Sequence, residues 1–260
     1  MDYKNIFSLE GKKAVVIGGG GGIGQEIAKA LSTFGAEVVI ASRNLEALQT
    51  VAQTMESETG YKVHACQVDV SSEESIISLV EETKAIFGTA DILVNSQGLN
   101  KKAVMTEQPM DLWDAMYSVN VRGVFIAIKE FSKGMIEKGS GRIINVGSIG
   151  AILSTKGGNS VGYGSTKGAV DSMTTNMCGY LGQYGITINN ICPIITETPM
   201  MVEIFKKNPT FKEMIAGRVP LGRIGIPSDC AGIAVFLASE AACFVSGQRI
   251  YADGGLQTQQ

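Results

Sequence analysis

The sequence predicts an α/β fold: a doubly wound parallel sheet of about seven strands with helices on both faces. Three observations predict it. Apolar runs of strand length alternate with stretches of helical period from Lys12 onward, as parallel βαβ units require. The first such run, Ala14-Val15-Val16-Ile17, enters Gly18-Gly19-Gly20-Gly21-Gly22-Ile23-Gly24 and then a helical pattern at Ile23, Ile27, Ala30, Leu31 and Phe34. The 260 residues are 45% hydrophobic and 18% charged, enough to bury a large core, with no linker, repeat or low-complexity tract to divide them. One domain spanning 1–260 is the expectation.

Each element has its own signal. Glu37 to Ala41 reads as the second strand and Leu45 to Ser57 as the helix after it. Val63 to Val70 reads as a third strand. Ser71-Ser72-Glu73-Glu74 then fits a capping box, with Ser71 as N-cap and Glu74 three residues on, opening a helix to about Phe87. Asp91 to Asn95 is a fourth strand, and a long helix runs from Pro109 to about Lys138. Arg142 to Val146 is a fifth strand. Val161 to about Gly182 is helical in pattern despite Gly164, Gly168 and Gly179. Ile186 to Ile191 is a sixth strand. The connection from Pro193 to Gly225 is longer than ordinary loops, which points to a functional segment. A helix over Ser228 to Ser239 and a strand over Arg249 to Ala252 close the fold.

Composition excludes several classes of function. A net charge of -3 gives no basic footprint for nucleic acid or for a membrane surface. No apolar run approaches the ~20 residues of a membrane span, and Met1 to Lys13 lacks the layout of a signal peptide. Cys66, Cys178, Cys192, Cys230 and Cys243 are scattered with no C-x-x-C, so they read as reduced cysteines of a cytoplasmic protein. A single histidine, His64, placed mid-strand, leaves no Ser-His-Asp triad and no histidine metal cluster.

Strand, glycine turn and helix form the context of a dinucleotide-binding loop. Glycine lets backbone N–H groups approach a pyrophosphate, and the helix N-terminus adds donors and a favourable dipole. Two registers fit: Gly19, Gly21 and Gly24 as G-x-G-x-x-G, or Gly18, Gly22 and Gly24 as G-x-x-x-G-x-G. At the end of the second strand, where an NAD site places a carboxylate for the ribose 2′-OH, the chain has Ala41-Ser42-Arg43-Asn44. Arg43 can pair with a 2′-phosphate and Ser42 can donate to it, which selects NADP(H), with NAD(H) still possible.

Four residues carry the candidate chemistry. Tyr163 and Lys167 stand at i and i+4 in Tyr163-Gly164-Ser165-Thr166-Lys167, neighbours on one helix face. Ser148 ends the fifth strand at the carboxyl edge, where doubly wound folds bind ligands. Asn120 lies inside the long helix, where Asn is a poor fit unless it has a buried polar role.

With these residues the chain resembles the short-chain dehydrogenase/reductase family in its main form, over about Leu9 to Gly255. The resemblance implies a Rossmann fold. The family's T-G-x-x-x-G-I-G falls on Ile17 to Gly24, with Ile17 in place of threonine and Gly18, Gly22, Ile23 and Gly24 toward the cofactor. Its N-N-A-G falls on Asn95-Ser96-Gln97-Gly98, with two central departures, and Asn95 and Gly98 as cofactor positions. Asp69 and Val70 match positions flanking adenine. The P-G motif falls on Pro193-Ile194, and its following threonine on Thr196 or Thr198. Val245 to Gln248 and Asp253 to Gly255 match the family's C-terminal pattern. The spacing from Ser148 to Tyr163 is slightly longer than in many members, an insertion around Thr155 to Ser160.

The resemblance makes Asn120, Ser148, Tyr163 and Lys167 the catalytic set. Tyr163 is the acid–base group, and a neighbouring ammonium at Lys167 should lower its pKa. Lys167 also holds the nicotinamide ribose hydroxyls, Ser148 orients the substrate oxygen, and Asn120 would hold a water linking Lys167 to solvent. The implied reaction interconverts a secondary alcohol and a ketone, and members acting on sugar acids and polyols, such as gluconate 5-dehydrogenases, are similar in layout. A 3-oxoacyl-thioester reductase shares every motif and stays open, as does a non-catalytic NADP-binding sensor. Substrate loops are expected at about 99–109, 151–162 and 194–217. Lys101, Lys102 and Lys156 fall in them, as carboxylate ligands or as solvated lysines. The family's subunit contacts imply a homotetramer.

Overall fold

A computed structural model describes residues 3–154 and 158–258. Seven strands form one sheet: β1 (Lys13–Ile17), β2 (Glu37–Ser42), β3 (Val63–Gln67), β4 (Ile92–Asn95), β5 (Gly141–Val146), β6 (Ile186–Pro193) and β7 (Arg249–Ala252). Their order is β3-β2-β1-β4-β5-β6-β7, and every pairing is parallel. The chain runs outward from β1 in one direction, then returns to β1 and runs outward in the other. The reversal lies between β1 and β4, and a crevice opens there beyond the carboxyl ends. Strands covered on both faces read as continuous apolar runs, as β1 and β2 do; all eight residues of β6 are buried as well, with Thr187, Asn189 and Asn190 as its polar members.

The helices divide between the two faces. On one, α1 (Gly22–Thr33), α2 (Leu45–Thr59) and α9 (Ser228–Ala238) bury Ile27, Leu31, Leu48, Met55 and Ala234 against Val16, Val38 and Ile144. On the other, α3 (Glu73–Phe87), α5 (Gly123–Lys138) and α6 (Val161–Leu181) cover Val15, Leu93, Ile143 and Ile188. Burial at about 25 cal/mol per Å² over such a surface is the main force holding these layers together. Before α5 comes α4 (Met110–Tyr117). The long connection after β6 holds α7 (Pro199–Lys207) and α8 (Pro209–Ala216), packed on a third small core of Ile149, Ile194, Phe205, Ile215, Val219 and Ile224. Among the described residues no helix is long and apolar enough to cross a membrane.

Three expectations need correction. The third strand ends at Gln67, not Val70. The Val68 N–H still reaches the Ser42 carbonyl at 2.9 Å, but Asp69 then turns the chain by accepting from the Ser71 N–H at 2.9 Å. That contact also moves the cap: Ser72, not Ser71, is the N-cap of α3, its Oγ accepting from the Ser75 N–H at 3.1 Å. The expected helix from Pro109 to Lys138 is interrupted by one π turn over Ser118–Arg122, where the Gly123 N–H bonds five residues back to Ser118. Such turns concentrate at functional positions, and this one contains Asn120.

Candidate active site

The glycine turn is shaped by what lies beside it. Gly18 has φ +83, and a Cβ there would sit 2.7 Å from the Gln97 backbone nitrogen. A Cβ on Gly24 would sit 2.3 Å from the Gly18 carbonyl oxygen. Only hydrogen fits at either place, so the turn folds tightly against the loop after β4. Gly22 also has positive φ, whereas Gly21 has open space around it. Positive φ marks Gly18 and Gly22, while a Cβ on Gly19 would also clash, 2.9 Å from the Val16 carbonyl oxygen, so Gly18, Gly19 and Gly24 all lack room for a side chain. Ile23 in the first turn of α1 is half-buried against the core. Thr198 closes the turn from above: its Cγ2 is 3.1 Å from where a Gly22 Cβ would stand. The two threonines separate here. Thr196 is buried and spends its hydroxyl on the Ile194 carbonyl at 2.8 Å. Ile194, in place of the expected glycine, plugs the third core, and Pro193 ends the buried β6 before it.

At the tip of β2, Arg43, Gln67, Val68, Asp69 and Ser75 line a cleft of about 350 Å³. Gln67 Nε2 donates to the Arg43 carbonyl at 2.8 Å, fixing the backbone there. Ser42 Oγ lies 3.3 Å from the Cβ position of Gly20. The Asp69 carboxyl sits below its usual range, chiefly because the Ser71 hydroxyl and N–H donate to it, with Arg43 adding its charge. Among the described residues no carboxylate lines this cleft except Asp69, whose oxygen is engaged by Ser71. Val70 is buried under α5, its carbonyl lying 2.5 Å from the Cβ position of Gly123.

The loop after β4 joins the turn to the candidate catalytic residues. Asn95 is buried and donates across the sheet to Asn145 Oδ1 at 2.9 Å. A Cβ on Gly98 would meet Lys167 Nζ at 3.8 Å and Asn120 Oδ1 at 4.0 Å. Asn120 is fully buried. Its Oδ1 accepts from the Leu99 N–H at 2.7 Å, and its Nδ2 donates to the Leu99 carbonyl at 2.9 Å and to Thr166 Oγ1 at 3.0 Å. The side chain thus clamps the 99-loop to α6, and these bonds occupy both ends of its amide.

Tyr163 and Lys167 share the inward face of α6, with Nζ 5.7 Å from the ring centroid. Lys167 is 4% exposed and donates to the Val146 carbonyl at 2.7 Å. Val146 is two residues before Ser148, whose Oγ accepts from the Gly150 N–H at 3.0 Å. Burial pushes the Lys167 ammonium down to about 8. Burial also raises the Tyr163 phenol above its ordinary value, while a hydrogen bond with Ser148 pulls it back. The expected lowering of Tyr163 by Lys167 is not found in the free protein: burial, which penalises the phenolate, raises the phenol, and the opposing pull comes from Ser148.

Lys101 and Lys102 are exposed on the 99-loop, and Lys156 lies outside the described residues. Among the described residues no cluster of three or more His, Cys, Asp or Glu can hold a metal. Two features escaped sequence reasoning. The buried Gln97 amide has no hydrogen-bond partner at either Oε1 or Nε2. Asp171, buried one turn after Lys167, accepts from Asn190 Nδ2 at 2.5 Å. The i+4 spacing from Lys167 was the available signal for Asp171.

The family model described as enoyl-(acyl carrier protein) reductase matches residues 18–257. The chain is 36% identical to a gluconate 5-dehydrogenase of Gluconobacter oxydans (strain 621H), covering 98% of each. It is 32% identical to a galactitol 2-dehydrogenase (L-tagatose-forming) of Cereibacter sphaeroides, again over 98% of each. A crystal structure of a gluconate 5-dehydrogenase from Burkholderia cenocepacia J2315 in complex with NADP and tartrate superposes with a TM-score of 0.93 at 34% identity, covering 98% of this chain and 99% of that one. A parallel sheet wound outward from its glycine turn, a tyrosine and lysine on one buried helix face and relatives matched end to end place the chain in the short-chain dehydrogenase/reductase family.

Proposed function

We propose that this protein is an NADP(H)-dependent oxidoreductase that interconverts a secondary alcohol and a ketone, with a sugar acid or polyol as substrate. The observation that carries the reading is the pairing of half-buried Tyr163 with buried Lys167 beside Ser148, at the carboxyl edge of the sheet and next to the glycine turn. The residues present fit a dinucleotide. Gly18 and Gly24 leave no room for a side chain, which holds the turn tight against the loop after β4 at the start of α1, where a pyrophosphate would meet backbone N–H groups, and the Gln97 amide is buried with neither end bonded. Gly18, Gly22, Ile23, Gly24 and Thr198 would hold the pyrophosphate side, with Pro193 and Thr196 shaping the wall behind Thr198. Ser42 and Arg43 would hold the 2′-phosphate, Asp69 and Val70 the adenine, and Asn95, Gly98, Tyr163 and Lys167 the nicotinamide ribose side. When bound, NADP(H) supplies the hydride chemistry.

The chain's own residues manage the proton. In reduction, the Tyr163 hydroxyl gives its proton to the substrate oxygen; in oxidation, it takes the alcohol proton. Burial keeps the free phenol protonated, which suits reduction. The Lys167 ammonium one turn away and the Ser148 hydroxyl both favour the phenolate that oxidation needs. Ser148 also donates to or accepts from the substrate oxygen and so orients it. Asn120 holds the 99-loop against α6 and keeps that wall of the cleft in place. The substrate is held by the segments 99–109, 151–162 and 194–217 of a single catalytic domain.

The same reading makes the protein a cytoplasmic homotetramer. Phe125 on α5, Tyr180 on α6 and Phe244 before β7 are large, exposed and apolar, as subunit contacts would require. Light scattering at micromolar concentration should give four chain masses; one chain mass refutes the assembly. The test of function is NADP(H) absorbance with gluconate, 5-ketogluconate, galactitol and a 3-oxoacyl thioester, each also with NAD(H). Turnover confined to the thioester would replace the substrate proposal. Tight NADPH binding with no turnover on any of them would make the protein a sensor.

A further inference from the structure

We infer that Asp171 is a positioning residue for the reaction: a buried counter-charge to Lys167 that also braces the strand end bearing Ser148. This rests on the reading of Tyr163 and Lys167 as the catalytic pair.

The placement is specific. Asp171 follows Lys167 by one helical turn, so the two Cβ atoms are about 5–6 Å apart on one face of α6, and each residue is 4% exposed. Asp171 Oδ1 accepts from Asn190 Nδ2 at 2.5 Å, and Cys192 Sγ lies 3.9 Å away on the same strand. Oδ2 is 3.8 Å from Arg249 Nε. A Cβ on Gly147 would meet Asp171 Oδ1 at 3.4 Å and Cys192 Sγ at 2.9 Å. The carboxylate therefore packs on the backbone between Val146, which binds the Lys167 ammonium, and Ser148.

A hydrogen-bonded chain fixes it there. Asn95, Asn145 and Asn190 occupy one register row across β4, β5 and β6, with Arg249 next in that row on β7. Asn95 donates to Asn145, and Asn145 Nδ2 donates to Thr174 Oγ1 at 3.0 Å. Thr174 donates to Asn190 Oδ1 at 2.6 Å, and Asn190 donates to Asp171. A buried network of this kind locks α6 against the sheet.

The charges around the site are few. Tyr163, Lys167 and Asp171 come from α6, Cys192 from β6, and Arg249 and Tyr251 from β7. Burial works against the Lys167 ammonium, and the ionised forms of Cys192 and Asp171 both favour it. The Cys192 thiol is pushed up to about 12 by its own burial, so it is uncharged near neutrality. Asp171 is left as the counter-charge. Burial raises its carboxyl overall, and Asn190, Arg249 and Lys167 draw it part of the way back.

The experiment is the pH profile of kcat/KM for alcohol oxidation with NADP, in wild type and Asp171→Asn, with far-UV circular dichroism as the folding control. Asp171→Asn keeps the shape and an acceptor for Asn190. Its basic limb, where Lys167 loses its proton, should move down by about 1 pH unit, the low end of the range for losing one nearby opposite charge. Superimposable profiles overturn the inference. Asp171→Glu and Asp171→Gln form a second pair differing only in charge, and decide the matter if the Asn variant does not fold: a lower basic limb in Gln than in Glu supports it, and coincident limbs overturn it. Tyr163→Phe is measured alongside. If it keeps full activity, the catalytic pair itself is wrong; if it is inactive while the Asp171 profiles coincide, only the role of Asp171 falls.

Discussion

Asn120→Leu replaces a fully buried amide by an apolar side chain of similar size. Three hydrogen bonds disappear: two to the Leu99 backbone and one to Thr166. The Thr166 hydroxyl still donates to the Tyr163 carbonyl at 2.7 Å, so it is not orphaned. The Leu99 N–H and C=O are, and each such group costs about 1–3 kcal/mol. Leu99 is only half-buried, so water reaches it in part and the low end applies. The expected loss is about 2–3 kcal/mol for the two groups. For a chain of this length that lowers Tm by roughly 5–10 °C. Urea unfolding followed by circular dichroism measures the loss. Substrate KM should rise as well, because the 99-loop is no longer pinned to α6. A change under about 0.5 kcal/mol, the scale of an ordinary surface substitution, with KM unaltered would refute the role of Asn120 as a brace.

Arg43→Ala should weaken NADPH by on the order of 1.5–3 kcal/mol, the worth of a charged hydrogen bond, and leave NADH nearly unchanged. Fluorescence titration with both cofactors checks this, and equal losses would remove Arg43 from the 2′-phosphate site. Gln97→Leu should raise the stability of the cofactor-free protein by about 1–2 kcal/mol, since it removes two buried polar atoms without partners. The same change should raise the NADPH Kd, and an unaltered Kd would mean the amide does not serve the cofactor. Gly24→Ala should abolish NADPH binding, because its Cβ would lie 2.3 Å from the Gly18 carbonyl oxygen; calorimetric titration showing wild-type affinity would contradict the tight-turn account.

The fold was legible because its signals are local. Apolar runs such as Ala14 to Ile17, buried on both faces, can only be central strands, and the glycines that follow mark the turn. Helical spacing puts Tyr163 and Lys167 on one face, but their reading as a pair needed the other motifs and the family resemblance beside it. What was not legible depends on contacts between distant segments. Ser71 and Ser72 both suit a cap, and Asp69 decides between them by taking Ser71 for its own turn. The π turn coincides with the Asn120 clamp on Leu99, a contact across 21 residues that no local spacing encodes. The raised Tyr163 phenol reflects its desolvation by the segments packed around α6, a property of the assembled layers. Asp171 meets Asn190 and Arg249 only because β6 and β7 end up side by side under α6.

The central claim is that Tyr163 moves the proton, and Tyr163→Phe tests it most directly. The substitution removes one oxygen and keeps the ring in its packed place. With NADPH and the substrate that the wild type turns over, kcat should fall by at least the ~10²–10⁴-fold of a lost acid–base group. The NADPH Kd and the circular dichroism spectrum should stay as in the wild type, because the glycine turn and Arg43 are untouched. A folded, NADPH-binding Tyr163→Phe protein that keeps most of its turnover would contradict the account.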